Sequence, residues 1–362
     1  MKTSTYTMNK IANILKICFY NFLVHSKAYS IFEPFYSGLG SILLFHRVLP
    51  ERDMIHKLIK NMVVTPDYLE SCIIYFLQQD YQILSLDKMS DCLKSGRNKK
   101  KFVCFTFDDG YVDIYRYVYP LFKKYNLPFA AFITTGFPDK EAFIWWEMLE
   151  DMLLTKDCLK CAKIVSGNNL SCSTWAEKKS LLKVLLKVFT IYKQGELQDI
   201  LQGLLGLDKM DIYKKQEGIV ASWEQIIEMS NNPNVTIGSH TVNHLGLNYL
   251  SPKEIEYEVA KSKEILESKI KRKVEHFSYP FGSKSESGNR EIAILKKHGF
   301  KTATTTRPGN IFPEHSGCLE SLPRIKPQPL IEGSGQDVQY LPFWLSGAIS
   351  AMRNYGWRVI KS

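Results

Sequence analysis

A chain of 362 residues is long enough for one large domain or two ordinary ones, and it can bury a full hydrophobic core. Its 45% hydrophobic and 23% charged residues are ordinary globular composition and exclude a largely disordered chain. The net charge of +10 fits either a solvated lysine-rich surface or attraction to anionic lipid or an acidic glycan. No nucleic-acid partner is expected, because the basic residues are scattered and no recognition motif occurs.

The cysteine pattern and the N-terminus bear on location. Eight cysteines without disulfide-framework spacing favour a reducing compartment. Residues 11–24 are apolar but interrupted by Asn13, Lys16 and Asn21, so neither a signal peptide nor a spanning helix is favoured. Two placements of this stretch stay open: along a membrane surface, or packed on the domain as a helix. We expect a cytoplasmic protein, with peripheral contact to the inner membrane as the alternative.

Strand-like and helix-like segments alternate through most of the chain. Apolar runs and helical spacing predict strands at 41–45, 81–84, 102–107, 129–134, 235–239, 276–279, 301–306 and 320–325, and helices at 66–79, 113–125, 252–270 and 287–298. This alternation is typical of parallel strands with helical crossovers, and about seven such strands predict a (β/α) barrel.

Residues 143–230 break the alternation and look helical throughout, so we predict a helical insertion carried on one long loop of the barrel. The predicted division is an N-terminal helical arm (1–40), a barrel (41–330) that contains this insertion, and an aromatic, basic C-terminal segment (331–362). The last is either a helix packed on the barrel or a surface anchor.

Polar side chains follow several predicted strands where those strands end. Asp108 and Asp109 follow one, His240 follows another, and His46 follows the first. Because the carboxyl ends of parallel barrel strands carry the active site, we expect these residues to lie together. One carboxylate with His240 and His244, four residues apart, would make a three-ligand set for a catalytic divalent metal with room for water. The other carboxylate is then free to act as a general base.

Two of these segments resemble motifs of the polysaccharide deacetylases of carbohydrate esterase family 4, the NodB-homology group. Residues 106–110 read Thr-Phe-Asp-Asp-Gly, and residues 240–244 fit H-[S/T]-x-x-H. The resemblance covers roughly residues 40–325 without the insertion. It implies a deformed (β/α)7 barrel of the TIM type. It also implies hydrolysis of N-acetyl, less often O-acetyl, groups of a glycan by water held at a metal.

The resemblance also implies roles for individual residues. Asp108 would be the base, and Asp109, His240 and His244 would be the metal ligands. Zinc is the expected metal, with cobalt and nickel compatible with the same ligands. The acetylated substrate would be a glycan or a lipid-linked saccharide, because similar motifs occur in a subgroup that assembles surface polysaccharide and lipopolysaccharide in the cell envelope.

The third family motif departs from its usual form. Residues 278–282 read Ser-Tyr-Pro-Phe-Gly, with Ser278 where an arginine that steadies the base is expected. We predict that Arg324 takes over that contact. The backbone N–H of Phe281 is predicted to stabilise the oxyanion of the reaction. Tyr279 and Pro280 are predicted to contact substrate.

The fifth family motif, Leu-x-His, appears as Leu322-Pro323-Arg324, so the usual general-acid histidine is missing. His46 is the predicted replacement, and a structural histidine bonded to backbone is the equal alternative. Trp145 and Trp146 are either a platform on which a sugar ring stacks or core anchors at a helix start.

Three hypotheses for the function follow. The leading one is a metal-dependent glycan deacetylase. The second is an amidase acting on small non-peptide C–N bonds, since the same barrel and metal site support such chemistry. The third is an inactive glycan-binding barrel. The absence of the acid histidine and of the third-motif arginine favours it. Metal content separates the third from the other two.

Overall fold

The computed structural model describes residue 18 and residues 21–54, 58, 62–97, 100–159, 170–327 and 336–359. Most of the apolar stretch at 11–24 therefore lies outside the described residues. The described strands are β1 (Gly40–Phe45), β2 (Arg47–Val48), β3 (Val63–Val64), β4 (Gln82–Ile83), β5 (Phe102–Phe107), β6 (Phe129–Ile133), β7 (Cys158–Leu159), β8 (Leu170–Ser171), β9 (Val235–Ser239), β10 (His276–Ser278), β11 (Thr302–Pro308) and β12 (Leu322–Arg324).

The α-helices lie before, between and after these strands. They are α1 (Glu33–Tyr36), α2 (Glu51–Met54), α3 (Pro66–Gln78), α4 (Leu86–Ser95), α5 (Tyr119–Tyr125), α6 (Trp145–Thr155), α7 (Trp175–Phe189), α8 (Gln194–Leu205), α9 (Lys209–Gln216), α10 (Trp223–Ser230), α11 (Pro252–Ile270), α12 (Asn289–Lys297), α13 (Leu341–Leu345) and α14 (Ala348–Arg353). None of the described helices combines the length and the apolar character needed to cross a bilayer.

Seven parallel strands form the barrel wall in the order β1, β5, β6, β9, β10, β11, β12, and β4 adds to β5 beside this path. β1 pairs with β5 along its whole length. The first and last strands meet where Leu43 pairs with Ile325, and the N–H of Leu44 donates to the Ile325 carbonyl at 2.8 Å. The predicted deformed (β/α)7 barrel is confirmed.

The barrel strands β1, β5 and β6 are largely apolar because both of their faces are covered. Every residue of β1, β5 and β6 is buried. Phenylalanine rings fill the space between β5 and the outer helix α5, where the Phe105 and Phe122 centroids lie 5.1 Å apart. Gly238 in β9 has no side chain because a Cβ there would lie 2.5 Å from the Phe132 ring.

The predicted barrel elements agree with the structure within two residues at each end. The predicted helix 113–125 differs in detail, because it opens with a π-helical turn, Ile114–Val118, before α5. Pro120 in the first turn of α5 lacks the N–H that a regular ladder would use, which accounts for the local change of pitch.

The insertion contains α6 to α10 and packs its own apolar faces together, with Leu149, Leu185 and Leu201 fully buried. The prediction that it is helical throughout was wrong at one place, where β7 and β8 form an antiparallel pair. Two-residue strands carry too little alternation to be recognised from sequence. The predicted domain boundaries stay predictions.

Candidate active site

Three predicted metal ligands come together at the carboxyl ends of β5 and β9. Asp109, His240 and His244 are all buried, and one ligand atom from each lies within 4.8 Å of the others. The Asp109 Oδ1 is 3.3 Å from the His240 Nε2 and 3.2 Å from the His244 Nε2. The His240 Nδ1 lies 2.7 Å from the Ser278 carbonyl, which orients the ring so that its Nε2 faces Asp109. One carboxylate and two imidazoles on a common point fit a divalent metal.

The electrostatics of these residues suit metal ligation. Burial alone would raise the pKa of Asp109, but the neighbouring His240 and His244 side chains hold this pKa well below its usual range. Burial lowers the pKa of His244. A carboxylate and a neutral imidazole are the forms in which these side chains bind metal.

The loops that carry these residues are strained. Asp109, Thr241, His244 and Phe281 all have positive φ, between 55° and 73°. A β-branched or bulky residue rarely adopts this conformation, and each instance costs about 1–3 kcal/mol. The surrounding structure must therefore hold the backbone in place.

Glu258 of α11 supplies part of that support for the histidine loop. Its carboxylate accepts hydrogen bonds from the N–H groups of Val242 and Asn243, both at 2.9 Å, and from the Asn243 side chain at 2.6 Å. Within the loop, the His244 N–H donates to the Thr241 hydroxyl at 3.0 Å. Glu258 was not among the predicted site residues, because in the sequence it is one acid in an amphipathic helix.

The predicted base, Asp108, is held on both carboxylate oxygens. Arg324 donates to its Oδ1 at 2.8 Å and to its Oδ2 at 2.7 Å, and the Ser278 hydroxyl donates to Oδ2 at 3.2 Å. Burial raises the pKa of Asp108, but the charge and hydrogen bonds of Arg324 outweigh burial and lower it. The predicted contact between Arg324 and Asp108 is therefore present. The small side chain of Ser278 leaves room for this guanidinium. The Ser278 hydroxyl also accepts a hydrogen bond from the Arg324 Nη2 at 3.0 Å.

His46 and Lys326 lie at the seam between β1 and β12. Burial lowers the pKa of His46 to about 4, so it is neutral at pH 7, and its buried Nδ1 has no hydrogen-bond partner among the described residues. Burial also lowers the pKa of Lys326, to about 8, against the charges of Asp109 and Asp108. Lys326 was missed at the sequence level. No sequence pattern marks it, because it lies beyond the last residue of β12.

The three predicted residues of the third motif have different surroundings. Phe281 lies beside the cluster, with its ring centroid 5.0 Å from that of His244. Tyr279 is fully buried, and its hydroxyl donates to the Glu320 carbonyl at 2.9 Å. Pro280 is also buried. The structure thus places the Tyr279 side chain in the core, and the substrate contacts of Tyr279 and Pro280 stay predictions.

The two tryptophans also have different surroundings. Trp146 is half-buried, its ring centroid is 4.6 Å from that of His244, and its Nε1 donates to the Tyr111 hydroxyl at 2.6 Å. Trp145 is buried and stacks on Phe189 of the insertion at 5.5 Å. Trp146 is therefore placed beside the metal-ligand cluster, whereas Trp145 is a core anchor of the insertion.

A buried ion pair network joins this part of the insertion to the barrel. Arg47 contacts Asp113 at 2.8 Å and Glu147 of α6 at 3.1 Å. Its guanidinium lies over the Tyr111 ring at 4.7 Å. Since Glu147 is adjacent to Trp146, this network fixes the tryptophan beside His244. In the sequence, the only indication of this network is that charged residues such as Arg47 and Glu147 lie next to site residues.

Comparison with known proteins agrees with this geometry. A family model described as polysaccharide deacetylase matches residues 95–157 and 207–303, so its gap falls within the insertion. The chain belongs to the polysaccharide deacetylase family. Its members include curated relatives that match over a short part of their length. The YxkH protein of Bacillus subtilis (strain 168) is 31% identical over 111 residues, which are 31% of this chain and 38% of that protein.

A second relative is the poly-β-1,6-N-acetyl-D-glucosamine N-deacetylase of Staphylococcus aureus (strain MSSA476). It is 37% identical over 87 residues, which are 24% of this chain and 30% of that protein. Among solved structures, Streptococcus pyogenes deacetylase PplD aligns with TM-score 0.53 and 18% identity over 82% of this chain and 94% of its own. IcaB from Ammonifex degensii aligns with TM-score 0.51 and 18% identity over 86% of this chain and 98% of its own. At these identities the two structures support the fold.

Proposed function

We propose that this protein is a metal-dependent hydrolase that removes N-acetyl groups from a surface polysaccharide or its lipid-linked precursor. The observation that carries the proposal is the pairing of the Asp109, His240 and His244 cluster with a separately held carboxylate, Asp108. The named activity of the Staphylococcus relative supports a polymer of N-acetylglucosamine as the first substrate to test. The reducing-compartment cysteine pattern supports the cytoplasm, or the cytoplasmic face of the inner membrane, as the location.

Each side chain has a defined task in this proposal. Asp109, His240 and His244 would hold the metal, whose chemistry is to polarise the acetyl carbonyl and to favour ionisation of water. Asp108 would take the proton of the attacking water, and Arg324 and Ser278 would keep its carboxylate oriented and ionised. The Phe281 N–H would donate to the oxyanion, with the strained turn at φ 61° fixing its direction.

The final step needs a proton for the departing amine when the C–N bond breaks. We assign this proton to Lys326 rather than to His46. Lys326, with a pKa of about 8, carries a proton at pH 7, whereas His46, with a pKa of about 4, does not. His46 would then serve as a neutral hydrogen-bonding group where β1 and β12 meet. Zinc is the proposed metal, since two imidazoles and a carboxylate are a common catalytic set for it.

Acetate release tests the proposal. The full chain would be loaded with Zn²⁺, Co²⁺ or Ni²⁺ and given β-1,6- and β-1,4-linked N-acetylglucosamine oligomers and an O-acetylated glycan. We expect release from at least one N-acetylated oligomer, lost with a chelator and lowered about a thousandfold in Asp108→Asn. Asp199→Asn, a change at an exposed aspartate of the insertion, is the matched control.

The alternatives give different results. No acetate from any glycan by a metal-loaded chain, with turnover of small amides, would replace the proposal by an amidase. A chain that takes up no metal and releases nothing would instead be an inactive barrel.

A further inference from the structure

The two ends of the described chain form an exposed apolar surface outside the barrel. It includes the three most exposed large hydrophobic side chains of the described residues, Tyr355, Ile31 and Trp357, at 93%, 72% and 71%. We call the whole set the terminal surface: Phe22, Ile31, Phe35, Met352, Tyr355 and Trp357. Single exposed hydrophobic residues are ordinary, but a concentration of them in two short segments marks an interaction site.

These two segments are packed together rather than independent. Beneath the exposed residues lies a separate apolar cluster, in which Tyr29 meets Phe343 edge-to-face at 6.0 Å. The Tyr36 hydroxyl donates to the Gly356 carbonyl at 3.2 Å, which ties the first segment to the last. The terminal surface is therefore built by both ends of the chain on a common support.

The two segments that build this surface are mostly basic in sequence. Residues 1–37 contain four lysines and one acid, Glu33, and residues 338–362 contain two arginines, one lysine and no acid. Lys27, Arg353 and Arg358 are exposed among the apolar residues. An apolar surface with interspersed Lys, Arg, Trp and Tyr is typical of segments that lie in the headgroup region of a membrane.

We propose that the terminal surface docks this protein onto a bilayer that contains anionic phospholipid. Trp357, Tyr355 and the aliphatic side chains enter the interface, and the basic residues contact the lipid phosphates. Charge complementarity selects lipid as the occupant, because the surface is nearly free of acids and the chain carries a net charge of +10.

The terminal surface borders two parts of the barrel. Residues 36–40 lead from it into the first residue of β1, where the Leu39 N–H donates to the Ile311 carbonyl at 2.7 Å. The Asn354 side chain donates to the carbonyl of Pro308, the last residue of β11, at 3.1 Å. Acetate release by vesicle-bound protein therefore measures whether docking leaves the candidate site open.

Vesicle sedimentation tests this proposal independently of catalysis. The full chain would be mixed with vesicles of phosphatidylcholine and phosphatidylglycerol at 3:1, or of phosphatidylcholine alone, at low and high salt. We expect sedimentation with the anionic vesicles that weakens in high salt and falls about tenfold or more in the double variant Tyr355→Ser/Trp357→Ser. The double variant Trp175→Ser/Met210→Ser removes two exposed hydrophobic residues of the insertion and is the matched control.

Three outcomes would overturn the proposal: no sedimentation of the wild type with anionic vesicles, an equal loss in the control variant, or equal binding to neutral vesicles. A concentration-dependent dimer that Tyr355→Ser/Trp357→Ser abolishes, without any vesicle binding, would assign the surface to a second copy instead. Acetate release from a soluble oligomer should be unchanged in both double variants, which separates this test from that of the proposed function.

Discussion

Burial affects the two basic groups at the seam of β1 and β12 in ways that decide their chemistry. It lowers the pKa of His46 to about 4 and that of Lys326 to about 8. A general acid must hold a proton at working pH and give it up readily, so a pKa slightly above 7 suits the task and one near 4 does not. The local dielectric and neighbouring charge therefore favour Lys326 over His46 in the role that we propose for it.

Replacing Lys326 tests this difference. We expect Lys326→Met to lower kcat about a hundredfold or more and to remove the alkaline limb of the pH–rate profile. His46→Gln should lower kcat much less. Zinc content, measured on both proteins, should be unchanged. Equal losses in the two variants, or a larger loss in His46→Gln, would return the proton-donor role to His46.

The ring of Trp146 lies beside His244, and its contact with substrate stays a prediction. Its half-buried ring contacts His244, and its Nε1 bond to Tyr111 fixes its orientation. We expect Trp146→Ala to raise KM for an oligosaccharide about tenfold, because a stacked ring is worth about 1–1.5 kcal/mol. Trp146→Phe should recover part of this loss. A lowered melting temperature with unchanged KM would show that the ring only packs.

At the scale of elements, the crossover helix α11 controls the loop that holds both histidines. The loop lies between β9 and α11, and it is strained at Thr241 and His244. Glu258 satisfies two of its backbone N–H groups at once. Burial raises the pKa of this carboxyl, and the bonds it accepts from Asn243 and Val242 oppose the rise. The helix therefore positions the predicted metal ligands through this carboxylate.

Glu258→Gln tests this positioning role. A neutral amide accepts fewer and weaker bonds from the loop, so we expect zinc affinity to fall about ten- to a hundredfold, the usual effect of losing such a support. A competition titration with a chromophoric chelator measures it. Glu264→Gln changes an exposed glutamate of the same helix and should leave zinc affinity unchanged. Excess zinc should restore activity to Glu258→Gln, and a failure to do so would point to general misfolding.

For the whole molecule, buried neutral histidines make stability depend on pH. His315, distant in sequence from the metal ligands, accepts a bond from the Phe312 N–H at 2.9 Å on its Nδ1. Burial lowers its pKa to about 4, below the ordinary value of 6.5. Between these two values the unfolded chain binds a proton that the folded chain does not, so the free energy of unfolding falls as the pH falls.

We expect His315 to contribute a loss of about 2 kcal/mol between pH 7 and pH 5. Urea denaturation of the metal-free protein at the two pH values measures the total loss. In His315→Asn, the loss should be smaller by about that amount. An unchanged pH dependence in this variant would show that His315 is already accessible to solvent protons when folded.

The sequence by itself determined the barrel and the identity of its central polar residues. Strand runs such as β1, β5 and β6 are largely apolar because both faces of a parallel barrel are covered, and this pattern is visible in the sequence. Polar residues directly after such runs fall at one end of the barrel by topology alone. This is why Asp108, Asp109 and His240 could be predicted to lie together.

Only the tertiary structure decided how these residues are supported and what lies around them. Glu258, Glu147 and Lys326 reach the site across sequence separations that no local pattern encodes. Their contributions depend on distance and burial: a carboxylate beneath a strained loop, an ion pair that docks the insertion, and an ammonium in a low-dielectric seam. Distances and dielectric surroundings arise only when the chain closes into a barrel, so the chemistry of the site depends on packing that the sequence specifies but does not display.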